Sequence, residues 1–170
     1  EALTLEKYVK AIRNGRGTRL DRKKRIQVWK VFENYQNLMK ENQIRDINTA
    51  MYESTKLLQA AGRKPRYTSI IIDEGQDFSD NAYRLIRALA GEEHPNDIFI
   101  VGDSHQRIYR NHPTLSKCGI NVRGRSSILK INYRTTEEIR KHAFALLNGI
   151  SFDDLDEGLD IGDRCQSLTH

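Results

Sequence analysis

Cysteine is scarce in this chain, and no apolar run is longer than a strand. The two cysteines, Cys118 and Cys165, share no CxxC spacing and no histidine pattern typical of zinc; a structural metal is not expected, and a reducing, cytoplasmic setting is. No segment approaches the length of a membrane-spanning helix, and no cationic leader with a hydrophobic centre is present, so a membrane is not an expected partner. Internal repeats and low-complexity tracts are absent too. A hydrophobic share of 38% with 30% charged residues over 170 positions suits one polar-leaning globular unit with a single core.

What the chain does contain is a strand ending in acid. Ile70-Ile71-Ile72-Asp73-Glu74-Gly75-Gln76-Asp77 is a β-branched run that delivers two adjacent carboxylates, the form of a Walker B element. Strands buried in a parallel sheet read as continuous apolar runs, and ligand chemistry in such sheets gathers at their carboxyl ends. An apolar strand closing in acidic turn residues also suits any α/β protein, where Asp73 would act as a helix or turn cap. The pattern returns at Ile98-Phe99-Ile100-Val101-Gly102-Asp103, which continues as Ser104-His105-Gln106-Arg107-Ile108-Tyr109. A third apolar-rich stretch, Ile128-Leu129-Lys130-Ile131, runs into Asn132-Tyr133-Arg134-Thr135, so three strand-end clusters are expected to converge.

Taken in order and spacing, Asp73-Glu74-Gly75-Gln76-Asp77, then Gly102 to Tyr109, then Asn132 to Thr135 resemble motifs II, III and IV of the UvrD/Rep branch of superfamily 1 DNA helicases. Asp46-Ile47-Asn48 resembles the aspartate-led helix which that family carries ahead of its Walker B strand. The resemblance implies ATP and Mg2+ as cofactors and single-stranded or duplex DNA as partner. It implies that Asp73 coordinates the magnesium of Mg-ATP and that Glu74 is the base or water-positioning group for γ-phosphate hydrolysis. Gln106 would sense the γ-phosphate, an amide being able to donate and accept without adding charge. Tyr133 would stack on the adenine and Arg134 would reach the γ-phosphate as a finger-like, charge-assisted contact. Tyr109 would lie near the DNA path, where an aromatic face stacks on any base. Asp77 and Asp103 would organise their loops by hydrogen bonds. Plainer roles stay open: Tyr109 and Tyr133 as amphipathic rings with wet hydroxyls, Arg134 as a surface arginine. His105 departs from the acidic residue expected just before the glutamine.

One motif the resemblance calls for is missing. No G-x-x-x-x-G-K-[ST] loop occurs; Gly15-Arg16-Gly17-Thr18 lacks the lysine, the spacing and a preceding apolar strand, and reads as a plain loop. The chain opens Glu1-Ala2-Leu3-Thr4 without an initiator methionine, so a piece of a longer protein is expected, with the phosphate loop upstream and later helicase motifs and domains beyond His170. For the isolated residues no meaningful ATPase is expected.

Charge is uneven. Arg13, Arg16, Arg19, Arg22, Lys23, Lys24 and Arg25 are opposed by Asp21 alone, while Asp153 to Asp163 is acidic. The basic stretch reads either as a phosphate-contacting surface or as a solvated helix start. The acidic stretch reads as a connector and fits no calcium loop.

The coarse elements are helices first and α/β afterwards. Helices are expected over Leu5–Asn14, from Asp21 to about Asn42 with Trp29 in the core, and from an Asp46 cap to about Ala61 with Gly62 as the stop. Lys64-Pro65-Arg66 breaks the pattern ahead of the Ile70 strand. Ser79 caps a helix to about Ala90, Asp97–Val101 is a strand, and Thr135-Thr136-Glu137-Glu138 resembles a capping box opening a helix to Leu147. Alternation of strand and helix argues for a parallel sheet with crossovers. The expected fold class is α/β: residues 1–62 a helical accessory subdomain with the helix leading to the core, 63–150 the C-terminal half of a RecA-like P-loop NTPase domain, and 151–170 a connector toward a second RecA-like domain. Such a piece should expose apolar surface or self-associate. Two functions are in view: part of an ATP-dependent DNA helicase or translocase, or a non-catalytic nucleic-acid or protein interaction module with a degenerate helicase fold.

Overall fold

The computed structural model describes residues 4–11, 20–62, 67–106 and 113–147, together with short strands at 152–153, 159–160 and 166–169. Two compact units are present, Glu1–Ile47 and Asn48–His170. Among the described residues, no helix is long and apolar enough to cross a membrane.

In the first unit, α1 (Leu5–Lys10) and α2 (Arg22–Glu41) start as their sequences dictate. The Thr4 hydroxyl accepts from Lys7 N at 3.3 Å and the Asp21 carboxylate from Lys24 N at 2.7 Å, satisfying amides that the first helical turn leaves without partners. Trp29, expected in the core, is only half-buried against the rings of Tyr8 and Phe32, at 5.8 and 5.3 Å. The reason is geometric: α2 carries apolar residues nearly all round, so Val28, Val31 and Leu38 stay exposed, and no described residue of this unit is fully buried. Arg25, one of the basic stretch, turns inward along the chain. Its guanidinium donates to Val9 O at 2.6 Å, Ala11 O at 2.8 Å and Leu20 O at 3.1 Å, closing the carbonyl end of α1.

All of α3 (Ile47–Ala61) but its first residue lies in the second unit, and it stops where Gly62 takes a left-handed φ of 57°. Next come β1 (Ile70–Ile72), α4 (Asp80–Ala90) and β2 (Ile98–Ile100). β1 and β2 pair in parallel, Ile70 opposite Ile98 and Ile72 opposite Ile100, with α4 as the crossover. Ser79 caps α4 through a bond from Ala82 N at 3.3 Å, and Gly91 ends it. Because side chains alternate along a strand, Ile70, Ile72, Ile98 and Ile100 face a core with Tyr83, Leu115, Cys118 and Ile120. Ile71 and Phe99, on the opposite face, are 76% and 61% exposed. Asp97 opens β2 as half of a buried ion pair, 2.7 Å from Arg87 Nη1. Burial opposes its ionisation, but Arg87 and the amides of His94 and Ile98 outweigh it and hold the carboxyl below its usual range.

The third expected strand is displaced. Residues 128–130 are not extended into a strand; β3 spans Ile131–Thr136, so Asn132 to Thr135 lie within it rather than at its end. It runs straight into α5 (Glu137–Ala145). Of the short strands that follow, β4 (Phe152–Asp153) and β5 (Leu159–Asp160) pair antiparallel, and β6 (Gln166–Thr169) runs parallel to β3. Among the described residues β3 has no ladder to β1 or β2, so one continuous sheet is not formed. Within β3, Asn132 Oδ1 accepts from the amides of Arg134 at 2.8 Å and Thr135 at 3.4 Å, a side-chain competitor to the ladder at the register shift between Asn132 and Thr136 in the β3–β6 pairing. The α5 cap is Thr136, whose hydroxyl accepts from Ile139 N; with Ile139 at the third helical position, the reciprocal bond of the expected capping box from Glu138 is not made. Glu137 instead binds Arg140 and accepts from Ser167 N at 2.9 Å, tying α5 to β6.

Candidate functional site

β1 ends at Ile72, and Asp73 and Glu74 follow as exposed carboxylates at the carboxyl end of a parallel strand. The Asp73 Oδ1 accepts from Glu74 N at 2.9 Å, which turns the chain sharply. Glu74 then has φ +53° and ψ 42°, a left-handed conformation that costs a non-glycine residue on the order of 1–3 kcal/mol and collects at functional sites. A 3₁₀ turn over Gly75–Asp77 follows, anchored by Gly75 N donating to Val101 O at 2.9 Å and by the Tyr83 hydroxyl donating to Gly75 O.

β2 ends on the neighbouring loop, Val101 to Gln106. Asp103 organises it as expected: Oδ1 accepts from His105 N at 3.0 Å and lies 3.1 Å from His105 Nδ1, while Oδ2 accepts from Gln106 Nε2 at 2.9 Å. His105 therefore fits its position, between the Asp103 carboxylate and the edge of the Phe144 ring on α5, 5.4 Å away.

The two loops meet through Gln76, which sequence reasoning passed over. Only 2% of it is exposed. Its Nε2 donates to Glu74 Oε2 at 2.6 Å, and its Oε1 accepts from Asp103 N at 2.9 Å. Glycine makes the approach possible: a Cβ on Gly102 would stand 2.8 Å from Gln76 Oε1, and one on Gly75 would stand 2.6 Å from Ile100 Cγ2. Glycines after each strand, flanking a glutamine between acids, were the available signal.

Asp73, Glu74 and Gln106 are thus brought to one edge by the β1 and β2 loops. Tyr133 and Arg134 lie on β3, where Tyr133 is 73% exposed and Arg134 is exposed. No hydrogen bond, ion pair or ring contact among the described residues joins their side chains to the β1 and β2 loops. Tyr109 lies outside the described residues, as do Gly15 to Thr18, Arg13, Arg16, Arg19, Cys165 and most of the acidic stretch.

Residues 2–112 match the UvrD/REP helicase N-terminal domain. The chain belongs to this family. The matched stretch takes in the β1 and β2 loops and ends before Asn132. Among relatives of this UvrD/Rep member, the "ATP-dependent DNA helicase UvrD1" of Mycobacterium tuberculosis (strain ATCC 25618 / H37Rv) is 26% identical over 134 residues, covering 69% of this chain and 17% of the relative. The "DNA helicase II" of Escherichia coli (strain K12) is 35% identical over 89 residues, covering 49% and 12%. The "Probable DNA helicase II homolog" of Mycoplasma pneumoniae (strain ATCC 29342 / M129 / Subtype 1) is 33% identical over 109 residues, covering 60% and 15%. The chain therefore spans a small part of the length of these relatives.

The acidic edge has the right chemistry for a magnesium nucleotide. One Asp73 oxygen is used by the Glu74 amide, leaving the other for a hard cation. No group of three or more His, Cys, Asp or Glu side chains that could hold a metal occurs among the described residues. Mg2+ binds through one or two carboxylates, with waters and substrate phosphates completing its shell.

Proposed function

We propose that the chain is part of an ATP-dependent DNA helicase or translocase and supplies the carboxylate edge of its ATPase site. The observation that carries this reading is the exposed Asp73 and Glu74 pair at the end of a parallel strand, joined by a buried amide to the loop bearing Gln106. Family membership and relatives named as DNA helicases support it. In this reading β1, β2 and α4 belong to the C-terminal half of a RecA-like domain, completed by other domains of a longer chain that acts in the cytoplasm.

Asp73 would hold Mg2+, which would neutralise phosphate charge when bound. Glu74 orients a water and accepts its proton as the water oxygen bonds to the γ-phosphorus; the bond from that phosphorus to the β–γ bridging oxygen breaks, and ADP leaves with the electron pair. Gln106, now bonded to Asp103, exchanges that partner for the γ-phosphate. Arg134 stabilises the transferring phosphoryl group, Tyr133 stacks on adenine and Tyr109 on a DNA base. Without the amides of a phosphate loop the isolated chain loses most triphosphate contacts and has no meaningful ATPase.

The test is single-stranded-DNA-stimulated ATP hydrolysis by the full-length protein beside its Glu74→Gln variant. Turnover in the parent, with nucleotide binding but at least a hundredfold less turnover in the variant, is expected. Absence of hydrolysis in both, with DNA binding retained, would refute the enzyme in favour of an interaction module.

A further inference from the structure

Resting on the assignment of Glu74 as the base, we propose that Gln76 is a positioning residue which sets the Glu74 carboxylate from the Gly102–Gln106 loop and so carries that loop's movement to the hydrolytic step. Glu74 is exposed, and its side chain by itself has several rotamers open to it. The bond of 2.6 Å from Gln76 Nε2 fixes Oε2 and leaves Oε1 to face a water. The other end of the same planar amide is fixed by the Asp103 amide, whose own carboxylate holds Gln106 Nε2 and His105 N. Glu74, Gln76, Asp103 and Gln106 therefore form one hydrogen-bonded line across two loops. A shift of Asp103 pulls on Gln76, and Gln76 cannot follow without moving the Glu74 carboxylate, because its side chain is enclosed.

The residue type is required by the two ends. A carboxylate faces one end and an N–H faces the other, so the bridge must donate to the first and accept from the second while staying uncharged in a buried position; an amide of this length does all three. Asparagine is one methylene short. Methionine matches the volume and offers neither bond.

The experiment is a double-mutant cycle on the full-length protein, reading DNA-stimulated ATP turnover for Gln76→Met, Glu74→Gln and the pair, with slow rates followed by phosphate release. A misplacement of about 1 Å in a catalytic group is worth up to roughly a hundredfold. The expected result for Gln76→Met is a kcat lower by about ten- to a hundredfold with the KM for ATP within about threefold, and no further loss when it is added to Glu74→Gln, since groups acting as a unit are not additive. Gly102→Ala, which presses on Gln76 Oε1 from the loop side, should reproduce the pattern, and it decides the matter if Gln76→Met does not fold. A kcat at the parental level in Gln76→Met, or a loss that multiplies in full onto Glu74→Gln, overturns the positioning role while leaving Glu74 as the base. Full turnover in Glu74→Gln overturns both readings together.

Discussion

Replacing Arg25 with methionine removes a charged clamp and keeps most of the side-chain volume. The guanidinium donates to the carbonyls of Val9, Ala11 and Leu20, and a weaker contact reaches Tyr8 O at 3.4 Å. Hydrogen bonds from a charged donor are worth about 1.5–3 kcal/mol each when enclosed. Arg25 is half-buried and the freed carbonyls would be rehydrated, so about 2–3 kcal/mol in total is the reasonable magnitude. For a small helical unit with a urea dependence of about 1 kcal/mol/M, that moves the midpoint down by about 2–3 M. The molecule has a built-in reporter: Trp29 is the only tryptophan, and it packs on Tyr8 of α1 at 5.8 Å. Urea titration followed by Trp29 fluorescence should show the early loss of this contact in Arg25→Met. Arg22→Met, at an exposed position three residues earlier, should shift the midpoint by less than about 0.5 M, the usual range of surface changes at this slope. Equal midpoints for parent and Arg25→Met would refute the clamp.

Tyr83→Phe deletes the hydroxyl that donates to Gly75 O from a ring with no exposure; a loss of about 1–3 kcal/mol by chemical denaturation is expected, since a buried carbonyl loses its partner. Glu137 has its carboxyl lowered from the usual value to about 2, first by Arg140 and then by the Ser167 amide. Its folded pKa lies below its unfolded one, so its contribution is present above about pH 4.5 and fades as pH falls toward 2. Glu137→Gln should therefore be less stable than the parent at pH 6 and converge with it near pH 2 in melting experiments; a gap independent of pH would refute the assignment.

Elements were legible where local chemistry and burial agree. Asp21 and Ser79 sit before apolar periodicity and cap α2 and α4, while Gly62 and Gly91 stop α3 and α4 at positive φ. The isoleucine-rich runs of β1 and β2 read as parallel strands because they are continuous and apolar, and they do pair in parallel, although only their alternate residues fill the core and Ile71 and Phe99 stay exposed. Trp29 misled because composition reports hydrophobicity and not the number of neighbours available to cover it. β6 gave no signal: Gln166 to Thr169 is short and largely polar, and it pairs with β3 through contacts more than thirty residues apart in sequence. Among the candidate residues, the exposed acids stood out by type, whereas Gln76 depends on two glycines folding close, which spacing alone does not reveal. Arg25 was counted as surface charge, although its bonds run to three carbonyls of its own unit.

The left-handed backbone at Glu74 sets local strain against one hydrogen bond at a single position. Glycine or asparagine would hold φ +53° with less strain, but either would withdraw the acceptor from the buried Gln76 amide, and an unpaired buried donor costs about 1–3 kcal/mol, the same order as the strain relieved. The Glu74 side chain thus offsets the strain of its own backbone by closing the bridge to Gln76.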